Sequence, residues 1–199
     1  MKNLKIILLV ASLTFLSCSK KDDAQVPLPL SRALNFTNNN LVAIPDTPFP
    51  GAPGVATSII NINNETGIIA DKNKITLELN VQHAEKTDLT FTLQAPDGSF
   101  KTFVYRVGNS SGKYIGTNKL RFSSTFTDAI PGSITDVAAG NYKESFGPSF
   151  VSQNLEPIFS FLQGKQIKGE WKLIVSDYQF GNVGNISSWG LFFGEGALQ

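Results

Sequence analysis

The chain has 199 residues, with 17 Lys and Arg against 16 Asp and Glu and a formal net charge of +1. That balance, with no basic run, leaves no electrostatic footprint for nucleic acid, and a single Cys excludes any internal disulfide. Fifteen Phe, 17 Gly and 10 Pro beside one Met and one His favour pleated, half-buried surfaces punctuated by turns, so an all-β domain is expected.

At the N-terminus, Lys2 and Lys5 flank the start of an apolar run over residues 6–16. Its length suits the core of a signal peptide and is too short to cross a bilayer, which takes about 20 apolar residues. The run ends in Thr14-Phe15-Leu16-Ser17-Cys18, which resembles the lipobox of bacterial lipoproteins. The resemblance implies cleavage before Cys18, acylation of its thiol and attachment to a membrane through the lipid. Several acyl chains, each at about 0.8 kcal/mol per buried CH₂, would make that attachment lasting. Residues 1–17 are therefore expected as a lipoprotein signal peptide, 18–33 as the lipidated Cys and a flexible tether, and 34–199 as the folded domain. Loss of Lys2 and Lys5 with the signal leaves 15 basic against 16 acidic side chains. Ser19-Lys20-Lys21-Asp22-Asp23 reads as solvated tether. A Lys followed by two acidic residues behind the Cys also resembles the surface-export signal of certain Gram-negative lipoproteins. The expected location is the outer membrane, facing the cell surface, with its periplasmic face as the alternative.

Beyond the Pro27 and Pro29 stretch, strand signals recur. Residues 57–62 are rich in β-branched side chains. Ile75, Leu77, Leu79 and Val81 alternate with polar residues, as do Leu89, Phe91, Leu93 and Ala95; a period of two fits strands with one face in a core. Pro96-Asp97-Gly98 is a turn, since Pro presets φ and Gly tolerates positive φ, and residues 100–107 return as the second hairpin strand. Residues 120–126 are a further strand. Leu155, Ile158, Phe159 and Leu162 fall at helical spacing after Asn154 as N-cap and before Gly164 as a stop, which predicts a short helix or 3₁₀ turn. Trp171, Leu173 and Val175, then Trp189, Leu191 and Phe193, alternate again. The sum is a jelly-roll-like β-sandwich of about eight strands with one short helix.

His83, Asp88-Leu89 and Pro96-Asp97-Gly98 together resemble the opening signature of the P domain, the β-sandwich that follows the catalytic domain in subtilisin-like proprotein convertases. Phe126-Thr127-Asp128-Ala129, Phe161-Leu162-Gln163-Gly164, Gly169 through Trp171 to Asp177, and Gly184 through Trp189 to Leu191 match its later elements in order, over residues 34–196. Two departures stand out: residues 133–152 are longer and less regular than the family pattern, and the chain is too short for a protease domain. The resemblance implies a sandwich that stabilises or binds a partner, without catalysis of its own. The partner would be a protein, in protease accessory or adhesion roles; a carbohydrate-binding module of a surface glycan-uptake system is the alternative. It also implies calcium, which some P domains bind, with Asp88 and Asp128 as the candidate ligands. Such Asp side chains can instead cap turns through their own backbone.

Gly108-Asn109-Ser110-Ser111-Gly112 has the G-x-S-x-G spacing of a nucleophile elbow, but that motif needs its His downstream on the chain. The single His, His83, lies upstream, so the segment reads as a hairpin tip. With one His and no Cys after residue 18, a His-rich zinc site cannot be built, and structural zinc is not expected. His83 is expected to hydrogen-bond a neighbouring turn. Trp171 and Trp189 alternate in phase with Leu and Val, which places them in the core. Tyr105, Tyr114, Tyr142 and Tyr178 are the candidates for surface contacts, each half apolar and half polar.

Overall fold

Period-two alternation decides which face of each long strand is buried. In the computed structural model Ile75, Leu77, Leu79 and Val81 line the core on one side, and Leu89, Phe91, Leu93, Trp171, Leu173 and Val175 line it on the other. The structure describes Leu28 and residues 32–108, 112–150 and 156–199; residues 1–17, expected as a signal peptide, and Cys18 lie outside them.

Among the described residues eleven strands form two facing sheets, an all-β sandwich. In chain order they are β1 (Leu34–Asn38), β2 (Val42–Ile44), β3 (Gly54–Ile62), β4 (Ile75–His83), β5 (Leu89–Gln94), β6 (Phe100–Tyr105), β7 (Leu120–Phe122), β8 (Gly140–Tyr142), β9 (Ser145–Phe146), β10 (Gly169–Asp177) and β11 (Gly184–Phe193). One sheet runs β1-β11-β4-β7-β8, with β2 also on β11; the other runs β3-β10-β5-β6-β9. Pairing is antiparallel except for β7 with β8 and β6 with β9.

The count exceeds the eight expected because β1, β2, β8 and β9 span only two to five residues each, too short for alternation to register. The predicted strand over residues 120–126 stops at Phe122, where a turn closes from Phe126 N–H to the Ser123 carbonyl. The helical expectation resolves as a 3₁₀ turn, Ser160–Leu162, with Ile158, Phe159 and Leu162 buried. Asn154 and Leu155 lie outside the described residues. Two more 3₁₀ turns, Lys72–Lys74 and Lys86–Asp88, lead into β4 and β5.

Aromatic packing fills the interior, with Phe103 edge-on to Phe122 at 4.9 Å and Phe91 against Tyr114 at 5.2 Å. Both Trp are buried, as their phasing implied, and both indole N–H groups find acceptors. Trp171 donates to the Ile167 carbonyl at 2.8 Å, and Trp189 reaches across the sandwich to Ser58 Oγ at 3.0 Å.

Strand register gives the sandwich two distinct ends. Leu34 and Ile75 both pair with Phe193, so the start of the domain lies at one end. His83 and Ile44 both pair with Gly184, and Gly54 and Leu89 both pair with Asp177, at the other. Loops 45–53, 84–88 and 178–183 gather at this second end, the loop end.

Candidate functional site

Three titratable side chains meet beneath those loops. β4 ends in His83, the 3₁₀ turn before β5 ends in Asp88, and β10 ends in Asp177. One donor atom from each lies within 4.8 Å of the others, and none of the three residues is more than 4% exposed. His83 Nδ1 stands 2.8 Å from the Glu85 carbonyl oxygen and 3.3 Å from the Glu85 N–H. A carbonyl can only accept, so the shorter contact has Nδ1–H donating. The lone pair of Nε2 then points at Asp177 Oδ2, 3.1 Å away. That contact needs a proton or another cation between the two atoms.

The rest of the network fastens the loops. Asp177 Oδ1 accepts the Gln179 N–H at 3.1 Å, the Thr47 hydroxyl donates to the Asp177 carbonyl at 2.8 Å, and the Tyr178 N–H donates to the Asp88 carbonyl at 3.0 Å. Asp88 Oδ2 accepts from Asn182 Nδ2 and Oδ1 from the Thr87 hydroxyl, each at 3.3 Å. Burial drives the Asp88 carboxyl above its ordinary range; neighbouring Asp177 adds to the rise, while Asn182, His83 and Thr87 oppose it. Asp46 Oδ2 accepts the Gly181 N–H at 2.9 Å. Three aspartates thus hold loop 178–183 by its backbone.

Lys86 is buried as well, with no exposed surface. Its ammonium donates to the carbonyls of Pro131 at 2.8 Å, Thr135 at 3.1 Å and Ser133. Burial lowers its pKa, and Asp136 works against that lowering. This contact anchors residues 131–135, a stretch with neither strand nor helix. It also accounts for the glycines of the G-x-S-x-G motif. A Cβ on Gly112 would sit 2.5 Å from the Thr135 carbonyl oxygen and 3.1 Å from Lys86 Cε, and Gly108 adopts φ +92° against the same lysine stem. The spacing follows from close approach to Lys86; Ser110 itself lies outside the described residues.

Above this buried layer the loops expose apolar side chains. Phe49, Tyr178, Phe180 and Val183 are 60%, 40%, 54% and 68% exposed. Phe49 sits between Pro48 and Pro50, in a turn closed by the Ala52 N–H on its own carbonyl. Arg106 lies 5.9 Å over the Tyr178 ring while its Nε donates to the Thr87 carbonyl at 3.0 Å, so the ring is held from below.

The expected calcium pair is not brought together. Asp88 is buried with Asp177 and His83, whereas Asp128 is exposed and lies beside Tyr142, whose phenol it helps to push up after the larger effect of burial. The reason is register: β7 runs away from the His83 end of β4, with Leu120 opposite Leu79 and Phe122 opposite Leu77, and Asp128 follows it. The donors around Asp88, two carboxylates and one imidazole, do not suit calcium, which wants six to eight oxygens. Asp97 caps its turn, with Oδ1 accepting the Ser99 N–H at 3.0 Å, and pairs with Lys165. His83 does bond a neighbouring turn, through Glu85. Of the four Tyr, only Tyr178 is exposed; Tyr114 and Tyr142 are core residues and Tyr105 is half-buried. Lys86, Asp177 as a partner of His83, and Phe49 went unmarked as site residues in the sequence. The proline pair around Phe49 was the one local signal for a rigid exposed aromatic.

No family model matches this chain, and no curated relative matches it. Among solved structures it is similar to the serine protease of Aeromonas sobria, at TM-score 0.45 and 14% identity over 85% of this chain. A structure of that protease and its chaperone in complex gives TM-score 0.44 and 13% identity over 84%. The chain spans 28% of the length of each.

Proposed function

We propose that this chain is a lipid-anchored, surface-displayed accessory protein, P-domain-like in sequence, that binds a protein partner through its loop end without catalysing a reaction. The observation that carries this reading is the exposure of Phe49, Tyr178, Phe180 and Val183 on loops at one end of the sandwich. Exposed aromatic clusters fixed by prolines and buried hydrogen bonds lose little entropy on docking, which is how a few side chains dominate an interface. The P-domain resemblance is supported by the meeting of His83, Asp88 and Asp177, drawn from separate motif elements, in one structural network. A non-catalytic role is supported by His83, whose side chain is wholly buried with both ring nitrogens in contact with polar partners.

The register supports display as well: a tether leaving Leu34 departs from the end opposite the loops. Photo-crosslinking from positions 49 and 180 on intact producing cells tests the reading. It predicts one specific protein adduct, absent when the crosslinker sits on the exposed β6 residue Phe100. Equal adducts from all three positions would sink it. Protease shaving of the same cells tests surface display, and loss of acyl labelling in Cys18→Ala tests the anchor. The carbohydrate-binding alternative rests on Tyr178 as its one exposed Tyr, since both Trp are core residues. Saturable sugar binding lost in Tyr178→Ala would restore it.

A further inference from the structure

We propose that His83, Asp88 and Asp177 form a binding site for a divalent transition-metal ion of the zinc class, rather than for calcium. The donor chemistry is the first ground. One imidazole nitrogen and two carboxylates converge from three different elements, all buried, with one donor atom of each within 4.8 Å of the rest. Imidazole with carboxylates is a ligand set for zinc and its neighbours. Ligands about 2.0–2.2 Å from such an ion lie roughly 3.0–3.5 Å from each other, and the Nε2–Oδ2 separation is 3.1 Å.

Orientation is the second ground. Metal-ligating His residues as a rule donate their other ring N–H to a carbonyl or carboxylate, which fixes the tautomer and aims the lone pair. His83 Nδ1 does this with the Glu85 carbonyl at 2.8 Å. The carboxylates are steadied in the same manner, Asp177 by the Gln179 N–H and Asp88 by Asn182.

Charge is the third and independent ground. Two buried carboxylates need protons or positive charge, and the cations nearest in sequence do not supply the charge. Lys86 spends its ammonium on the carbonyls of Pro131, Ser133 and Thr135. Arg106 bonds the Thr87 carbonyl and covers Tyr178. A dication with neutral His83 brings the group to zero. A further carboxylate oxygen, Asp46 Oδ1, is buried without a hydrogen-bond partner among the described residues. It precedes Thr47, whose hydroxyl bonds the Asp177 carbonyl. The metal would tie β4, β5 and β10 together directly under the docking loops, and the site stands whichever partner those loops meet.

The single His makes the test clean. The full chain, purified in detergent and freed of metal by chelation, is titrated with Zn²⁺, Co²⁺ and Ca²⁺ while the one imidazole is followed by ¹⁵N-resolved NMR and the melting temperature is recorded. Metal binding predicts that Nε2 shifts on stoichiometric Zn²⁺ with Nδ1 still protonated. It further predicts a visible Co²⁺ band and a higher Tm with micromolar Zn²⁺, all lost in Asp88→Asn. An imidazole spectrum and Tm indifferent to Zn²⁺ and Co²⁺ would overturn the proposal and leave a proton shared between His83 and Asp177. A larger rise with Ca²⁺ than with Zn²⁺ would overturn it equally. Neither result bears on the crosslinking outcome at positions 49 and 180.

Discussion

Lys86 shows what a buried ion demands of its surroundings. Its ammonium is stabilised by three carbonyls that converge from one irregular segment, and two glycines leave room for its stem. Removing the charge strands those carbonyls in a site with little water, so Lys86→Met is expected to cost on the order of 3 kcal/mol, measured by urea unfolding. The cost should fall on residues 131–137 first, as faster amide exchange there. Ser58→Ala is a smaller case of the same kind. It removes the acceptor of the buried Trp189 N–H and should cost about 1–2 kcal/mol in the same assay. Neither residue could be singled out from the sequence. A lone Lys reads as exposed, and a Ser within a β-branched run reads as surface. Their burial follows from contacts more than 40 residues away, which periodicity does not carry. His83, Asp88 and Asp177 were visible as residue types at strand ends. Their convergence depends on the pairing of Asp177 with Leu89, a fact of register.

Long alternating strands were the legible elements, because three or four apolar residues in phase decide a buried face. β4, β5, β10 and β11 emerge with their predicted faces inward, and the Pro96-Asp97-Gly98 turn forms with Gly98 at φ +84°. Short edge strands were not legible, since two to five residues barely display a period. Electrostatics across the β4–β7 pair gives a testable dependence on pH. Burial pulls the Glu78 carboxyl upward, but Lys119 at 3.0 Å and Arg121 at 2.5 Å outweigh it and hold its pKa below the ordinary 4.5. A carboxyl depressed in the folded state contributes stability that is whole above its unfolded pKa and is lost as pH falls through the folded one. Glu78→Gln should therefore cost on the order of 1 kcal/mol at neutral pH, with the gap to wild type closing between about pH 5 and pH 3 in thermal melts. Asp97 follows the same sign. Lys165 first, then the Ser99 hydroxyl and N–H, hold it at about 2, so that turn keeps its ion pair to lower pH, its effect thinned by solvent because the carboxyl is half exposed.

At the scale of the whole molecule, core and surface are separable. Phe49 and Phe180 touch solvent and not the core, so Phe49→Ser with Phe180→Ser should leave the melting temperature within about 2 °C of wild type. The same pair of changes should abolish the adduct formed from a crosslinker placed at the exposed Val183. Parallel loss of stability would mean that these side chains serve the fold and not a partner. The two-ended layout has a mechanical consequence. β1 and β2 lie one after the other along β11, through five and three paired residues, with Leu34 at the tether end and Ile44 at the loop end. Tension between a lipid at the N-terminus and a partner gripping Phe49 would therefore run along one nearly straight stretch of covalent backbone, and the core would carry little of it. Tension on Phe180 would instead reach the tether across the β11 ladder as shear, loading its hydrogen bonds together instead of peeling them one at a time. Pulling from position 49 and from position 180 in a force spectrometer, with the N-terminus fixed, should give different rupture forces. Held at one end and pulled at the other, the domain would meet load either along its backbone or as shear across β11.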